Sequence, residues 1–151
     1  MRLTAFTDYS LRVLMFLAAE PDRRATVAEI CTAYDIKVNH LTKVVHHLAK
    51  RGWVSTVRGK GGGLTLALPA EQIRIGEVVR DTEGQDEMAE CFSNDAGHCA
   101  IARHCQLRGV LAEAVEAFHA VLDRYTLADI TANRQQLVQL LRFMAPAEVA
   151  V

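Results

Sequence analysis

Apolar residues recur at helical spacing through the first fifty positions of this chain. Leu11, Leu14, Met15 and Ala18 predict one face of an amphipathic helix over 8–19, with Thr7 as its N-cap and Pro21 beyond its end. Thr26 and Glu29 form the Thr-x-x-Glu pattern of a capping box, opening a short helix from Val27 to about Tyr34. After the tight connection Asp35-Ile-Lys-Val38, Asn39 caps a third helix, His40 to Lys50. Its Leu41, Val44, Val45 and Leu48 face inward, and Gly52 supplies the left-handed stop.

The pattern then changes to two short β-rich runs, 53–57 and 64–68, around Arg58-Gly-Lys-Gly-Gly-Gly63. That is a hairpin with a long, basic, glycine-rich tip. Helix, helix, turn, helix, hairpin is the order of a winged helix-turn-helix. A further short helix covers about 75–82, and an acidic, polar stretch follows over 83–90.

From Leu107 onward the residues Leu107, Leu111, Ala114, Phe118, Val121 and Tyr125 alternate spacings of four and three, a heptad seam. Such a helix either packs on its own domain or meets a two-fold partner. The compact core already available to the first half, and the prevalence of symmetric dimers, favour the partner. A short helical segment after Thr126 and another over 133–144 return to the body, and the tail after Pro146 frays. The predicted fold class is mainly α: a winged helix-turn-helix with a small β-hairpin wing plus a long C-terminal dimerisation helix. The predicted division is a DNA-binding domain over 1–82, a loop over 83–106, and dimerisation and C-terminal helices over 107–151.

A chain of 151 residues, half of them apolar, is long enough for one domain with its own core plus an assembly element. No stretch resembles a transmembrane helix; the apolar run over 11–19 is broken by Arg12, and no export cleavage pattern follows it. The expectation is a cytoplasmic protein without a membrane partner. The net charge of −1 conceals an asymmetry. Residues 1–69 carry ten Lys/Arg against five Asp/Glu, and residues 70–151 carry seven against thirteen. Residues 37–60 hold six basic residues and no acid, which favours polyanion binding beside a helix and a glycine turn.

In a helix-turn-helix the second helix enters the major groove and presents polar side chains from its N-terminal end. The outward candidates are Asn39, His40, Thr42, Lys43, His46, His47 and Lys50. Asn39 either reads an adenine edge or serves as the cap. Lys43 and Lys50 suit phosphates, which fix register without reading sequence. Arg58 and Lys60 project from the wing, where glycines let the backbone approach a groove; the plainer reading is a flexible hairpin with solvated charges.

Three of the four cysteines lie in one polar loop, as Cys91-x7-Cys99-x5-Cys105. In a reducing compartment, clustered cysteines bind metal or do redox chemistry. The spacing is wider than the knuckles of structural zinc sites and suits an iron–sulfur cluster held by thiolates. Within the loop His98, His104, Asp95 and Glu90 are candidates for a further donor. Cys31, mid-helix beside Ile30, reads as a small buried hydrophobe. Other classes remain: a non-regulatory iron–sulfur carrier, or a zinc-stabilised interaction protein. Enzyme function is not expected, because no nucleophile–base set stands out and the glycine tip lacks the Gly-Lys-Ser/Thr ending of a phosphate loop.

Four segments carry a family resemblance: Met1-Arg-Leu-Thr-Ala-Phe-Thr-Asp-Tyr9, Asn39-His-Leu-Thr-Lys43, Val57-Arg-Gly-Lys-Gly-Gly-Gly-Leu64 and Ile73-Arg-Ile-Gly-Glu-Val-Val79. With the three-cysteine loop they resemble the bacterial winged-helix iron–sulfur regulators, and within them the nitric-oxide-sensing repressors. The similarity runs on through Tyr125-Thr-Leu-Ala-Asp-Ile130. It implies a homodimer crossed through the long helix, bound to an inverted-repeat operator on double-stranded DNA. It implies a cluster, 4Fe–4S in preference to 2Fe–2S, held by Cys91, Cys99 and Cys105, with nitric oxide as the signal. One branch of the family completes its site with a histidine three residues after the last cysteine; here that position is Arg108. In the nitric-oxide branch the matching donor is a carboxylate in the first helix, which falls on Asp8 and comes from the other subunit. Read alone, Asp8 is a first-turn acid favoured by the helix dipole. A 2Fe–2S regulator answering to redox state or iron supply is the alternative within the same class.

Overall fold

Helix α1 (Ala5–Ala19) is the spine of the computed structural model, which describes residues 2–84, 100–101 and 104–144. It starts three residues earlier than its apolar pattern suggests. Thr4, not Thr7, is the N-cap: it has extended backbone angles, and its hydroxyl accepts from Thr7 N at 3.2 Å. Thr7 is fully buried inside the helix. The apolar face is also wider than the predicted stripe. Leu14 and Ala18 are buried as expected, but so are Val13, Phe16 and Leu17, while Leu11 and Met15 are half-buried. A helix buried over this much of its circumference is central to its domain rather than laid on its surface.

Around α1 stand α2 (Val27–Tyr34), α3 (Val38–Lys50) and α4 (Ile75–Glu83). The Thr26–Glu29 capping box is present in full at the head of α2. Asp35, with φ of +52°, turns the chain out of α2, and buried Ile36 pins the turn. Helix α3 therefore begins at Val38, with Lys37 as a cap that makes no side-chain bond, and Asn39 is a residue of the first turn instead of the cap. Leu41, Val44, Val45 and Leu48 face the core as their spacing requires. Gly52, at φ +80°, ends the helix in the left-handed region.

Strands β1 (Val54–Val57) and β2 (Gly63–Leu66) pair antiparallel, with Val54 opposite Leu66 and Val57 opposite Gly63. A third backbone joins their sheet: Leu64 N donates to Ala25 O at 2.7 Å, and Ala25 N to Leu64 O at 3.0 Å. This ties the wing to the connection before α2. The observed class is mainly helical with a two-stranded hairpin.

Helix α5 (Gln106–Leu122) follows Cys105, and α6 (Leu127–Ile130) and α7 (Arg134–Met144) turn back onto the body. Leu127 N donates to Ile73 O at 2.8 Å, and the Leu127 side chain is fully buried in the core that also holds Leu14, Ile30, Leu41, Ile73 and Val78. The chain's return after residue 126 is thus part of the same core. The heptad seam of α5 divides differently from its prediction. Leu111, Val115, Phe118 and Leu122 are half-buried, and Phe118 and Leu122 pack against the body. Leu107, Val110, Ala114, Ala117 and Val121 form a second stripe that faces outward. Among the described residues no helix is long and apolar enough to cross a membrane.

Because Leu127 plugs the core from the far end of the chain, Leu127→Ala is expected to cost about 2–5 kcal/mol, the range for a buried leucine. Chemical denaturation measures it, and a loss below about 1 kcal/mol would place α6 outside the cooperative unit.

Candidate nucleic-acid interface and the anchors of the cysteine loop

Burial of one stripe of α3 forces its other face outward, and that face carries the chemistry. Asn39, His40, Thr42, Lys43, His46 and Lys50 are all exposed. Freed from capping, the Asn39 amide is available for a base edge. The His40 ring stacks on Tyr9 of α1, with centroids 6.4 Å apart and planes 22° from parallel. The Thr42 hydroxyl donates to Val38 O at 2.8 Å.

His47 departs from the expected outward set. Its Nε2 lies 2.5 Å from Asp81 Oδ2, and its ring meets Phe6 edge-on at 5.3 Å. Asp81 also takes Arg51 Nε at 2.8 Å. One carboxylate near the end of α4 thus binds His47 of α3 and Arg51 just past that helix. A partly buried carboxylate with two cationic or donor partners fixes geometry even where its net contribution to stability is small.

On the wing Arg58 and Lys60 are exposed, and the tip between the strands is more structured than a string of glycines suggests. Gly62 N donates to Gly59 O at 2.9 Å, and Arg24 Nη1 donates to Gly61 O at 3.1 Å. A Cβ on Gly62 would lie 2.3 Å from Val57 O, and one on Gly63 would lie 2.9 Å from Ala25 O. These two glycines are close approaches of backbone to backbone. Arg24 was not legible as part of the wing, because its partner lies 37 residues away in sequence.

The chain leading into the cysteine loop is anchored in α4. There Glu83 accepts from Thr4 N at 2.8 Å and from Thr4 Oγ1 at 3.1 Å, so α4 caps α1. Gly76 of α4 sits so close to the end of α5 that a Cβ there would lie 1.9 Å from Asp123 Oδ1. Arg80 pairs with the Asp123 carboxylate, and Arg74 Nη1 donates to Asp123 O at 3.1 Å. The Arg80 hydrogen bond holds the Asp123 carboxyl below its ordinary range.

At the loop's other end Cys105 is a free, half-buried thiol immediately before α5, and His104 is exposed. Cys91 and Cys99, with Glu90, Asp95 and His98, lie outside the described residues. Asp8 stands on α1, 45% exposed at its side chain, and pairs with Arg12 at 2.9 Å; the Arg12 guanidinium lies 5.6 Å from the Tyr34 ring centroid. Among the described residues, no three His, Cys, Asp or Glu side chains are gathered as a metal site. Cys31 is buried in the core, and burial pushes its thiol pKa up, as its placement mid-helix suggested.

Residues 3–133 match the Rrf2 family, described as an iron-dependent transcriptional regulator. The chain belongs to the Rrf2 family. It is 48% identical over 143 residues to the HTH-type transcriptional regulator NsrR of Bacillus subtilis (strain 168), covering 94% of this chain and 98% of that protein. It is 45% identical to NsrR of Halalkalibacterium halodurans, with the same coverage. Among solved structures, T. potens IscR superposes with a TM-score of 0.72 at 21% identity, over 91% of this chain and 90% of that one. The oxidized form of Staphylococcus aureus CymR superposes with a TM-score of 0.68 at 24% identity, over 87% of this chain and 96% of that one. These two likenesses establish the fold. As an Rrf2-family transcriptional regulator, not an enzyme, the protein meets DNA.

The helix-turn-helix is braced at the head of α2, where Glu29 takes Arg23 Nη1 and Thr26 N, each at 2.5 Å. Burial acts to raise the Glu29 pKa, but these bonds outweigh it, and the group titrates below its ordinary 4.5. A depressed carboxyl stabilises the fold above its unfolded pKa and loses that contribution as pH falls through the folded one. Melting temperature should therefore drop as pH falls below 4.5, and Glu29→Gln should flatten the drop; a variant profile parallel to the parent's would contradict the assignment.

Proposed function

We propose that this protein is a cytoplasmic, dimeric, DNA-binding transcriptional repressor whose iron–sulfur cluster senses nitric oxide, reaction with the gas releasing an inverted-repeat operator. The observation that carries this reading is how the described flanks of the cysteine loop are held. The loop runs from α4, whose last turn holds both α1 and α3, to Cys105 at the head of α5. Whatever the loop binds is thereby joined to the reading helix. The likeness to NsrR over nearly the whole chain supports the same assignment.

The donor set suits the cofactor. Cys91, Cys99 and Cys105 offer three thiolates, the ligands iron–sulfur clusters take. Asp8 of the partner subunit is the proposed fourth donor, and a 4Fe–4S cluster is preferred over 2Fe–2S. Bound there, the cluster would supply iron open to attack by nitric oxide, most readily where oxygen rather than sulfur is the ligand. Asp8 is exposed enough to act, and its pairing with Arg12 is a surface ion pair worth little to stability. Asp8 can therefore exchange Arg12 for another cation at small cost.

Residues 107–151 supply the proposed dimerisation unit. Leu107 and Val110 are each 61% exposed, and with Ala114, Ala117 and Val121 they repeat at three and four, the spacing of a helix–helix seam. Within each protomer the last turn of α4 passes the state of the loop to α3 through Asp81, His47 and Arg51. On the DNA side, Asn39, His40, Thr42, Lys43, His46 and Lys50 of α3 face the major groove, and Arg58 and Lys60 of the wing reach beside it. A shift of a few ångströms in half-site separation is enough to weaken binding, because a dimer must match groove spacing of about 34–36 Å per turn. The family's description as iron-dependent favours, as a second reading, a 2Fe–2S regulator answering to iron or redox state; Mössbauer spectra of anaerobic protein separate the two.

The test is anaerobic operator binding with and without nitric oxide. The parent protein should be coloured, hold iron and sulfide, and release DNA on addition of the gas. Replacing Cys91, Cys99 and Cys105 together by alanine should remove the colour and the response, and Asp8→Ala should keep some cluster but alter affinity or response. A colourless, iron-free parent that still releases DNA with the gas would overturn the reading.

A further inference from the structure

Val38 is the first residue of α3, and its side chain is 56% exposed, the most open valine at the reading end of the helix. One turn later on the same face stands Thr42, also exposed. The Thr42 hydroxyl is committed to the helix, donating to the Val38 carbonyl at 2.8 Å. With its proton so committed, Thr42 has its γ-methyl and the acceptor side of its oxygen left to present. Together these residues make a small apolar surface bordered by the Asn39 amide and the Lys43 ammonium, at the end of the helix that reads bases in a helix-turn-helix.

In the major groove, one base presents an apolar group at its edge: the 5-methyl of thymine. Polar groups at base edges would lose water against Val38 without gaining a hydrogen bond, which is unfavourable. Thymine alone gains by burying its methyl there. We infer that Val38, with the methyl of Thr42, is a specificity-determining contact that selects a thymine in each operator half-site by its 5-methyl group. Asn39 stands next to Val38, and an amide pairs bidentately with adenine N6 and N7. The start of α3 therefore carries two neighbouring side chains suited to adenine–thymine pairs. The inference rests on α3 being the groove-reading helix and is independent of the cluster.

Thymine replaced by deoxyuridine loses the methyl and nothing else. The probe is a duplex selected from a randomised inverted-repeat library with the full-length protein, together with copies in which each thymine of a half-site is changed in turn to deoxyuridine. At one position, or two adjacent ones, the change should weaken binding about fourfold per half-site, the worth of one buried methyl group. Val38→Ala should erase that penalty. Thr42→Ser, which keeps the hydroxyl bond to Val38 O and removes only the methyl, should reduce it. Both sites are exposed, so neither variant disturbs the core, and the coupling is read as a double-mutant cycle between protein and DNA. Lys43→Ala is the control for docking. If it weakens binding while no deoxyuridine does, or if the penalty survives Val38→Ala, the methyl contact is wrong and the docking stands. If Lys43→Ala is also without effect, the docking of α3 falls and the inference with it.

Discussion

The Asp81 carboxylate, set between His47 and Arg51, is the constraint on which the arrangement of this molecule depends. It fastens the end of α4 to the C-terminal half of α3. Two residues on, Glu83 fastens the same turn to Thr4 at the head of α1. One residue before Asp81, Arg80 grips Asp123 at the end of α5. Three of the four positions from 80 to 83 therefore touch α1, α3 and the end of α5. The side chain of Asp81 is only 17% exposed, so releasing either neighbour would leave a poorly hydrated charge. Such a junction resists small adjustments and favours discrete rearrangement, which is what a switch needs.

The basic block over 37–60 is divided between α3 with its flanking residues and the wing, and among the described residues the acid paired with it is Asp81. Lys43, Lys50, Arg58 and Lys60 remain outward, where a polyanion can collect them and release counterions. Other acids of the second half pair within that half: Asp123 takes Arg80, and Asp129 closes a capping box with Thr126. The wing adds stiffness rather than reach alone, since Arg24 and the Ala25–Leu64 bridge hold its base and tip to the body.

Local signals were legible and distant ones were not. The Thr26–Glu29 box and the inward stripe of α3 depend on neighbours within one turn, and both stand as their spacing requires. The start of α3 did not, because the left-handed turn at Asp35 and the buried anchor Ile36 outweigh the capping preference of Asn39. Thr7 looked like a cap because residues of that type favour the position, but Thr4 is the one that meets Glu83 across 79 residues. His47 looked like a groove-facing side chain because its partner is 34 residues away. Helix α5 carries two apolar stripes, at 107, 110, 114, 117 and 121 and at 111, 115, 118 and 122; a single heptad reading mixes them. Periodicity shows that such stripes exist, and only tertiary packing assigns one to the body and leaves the other outward.

In the proposed mechanism the signal passes from the cysteine loop to α3 through Asp81. The most direct test is the ratio of operator affinities of cluster-loaded and cluster-free protein, measured anaerobically for the parent and for Asp81→Asn. The parent should show a clear difference between the two forms, and the variant, with its cluster absorbance intact, should bring the ratio close to one. An unchanged ratio in a variant that has lost the Asp81 charge would show that the signal travels by another route.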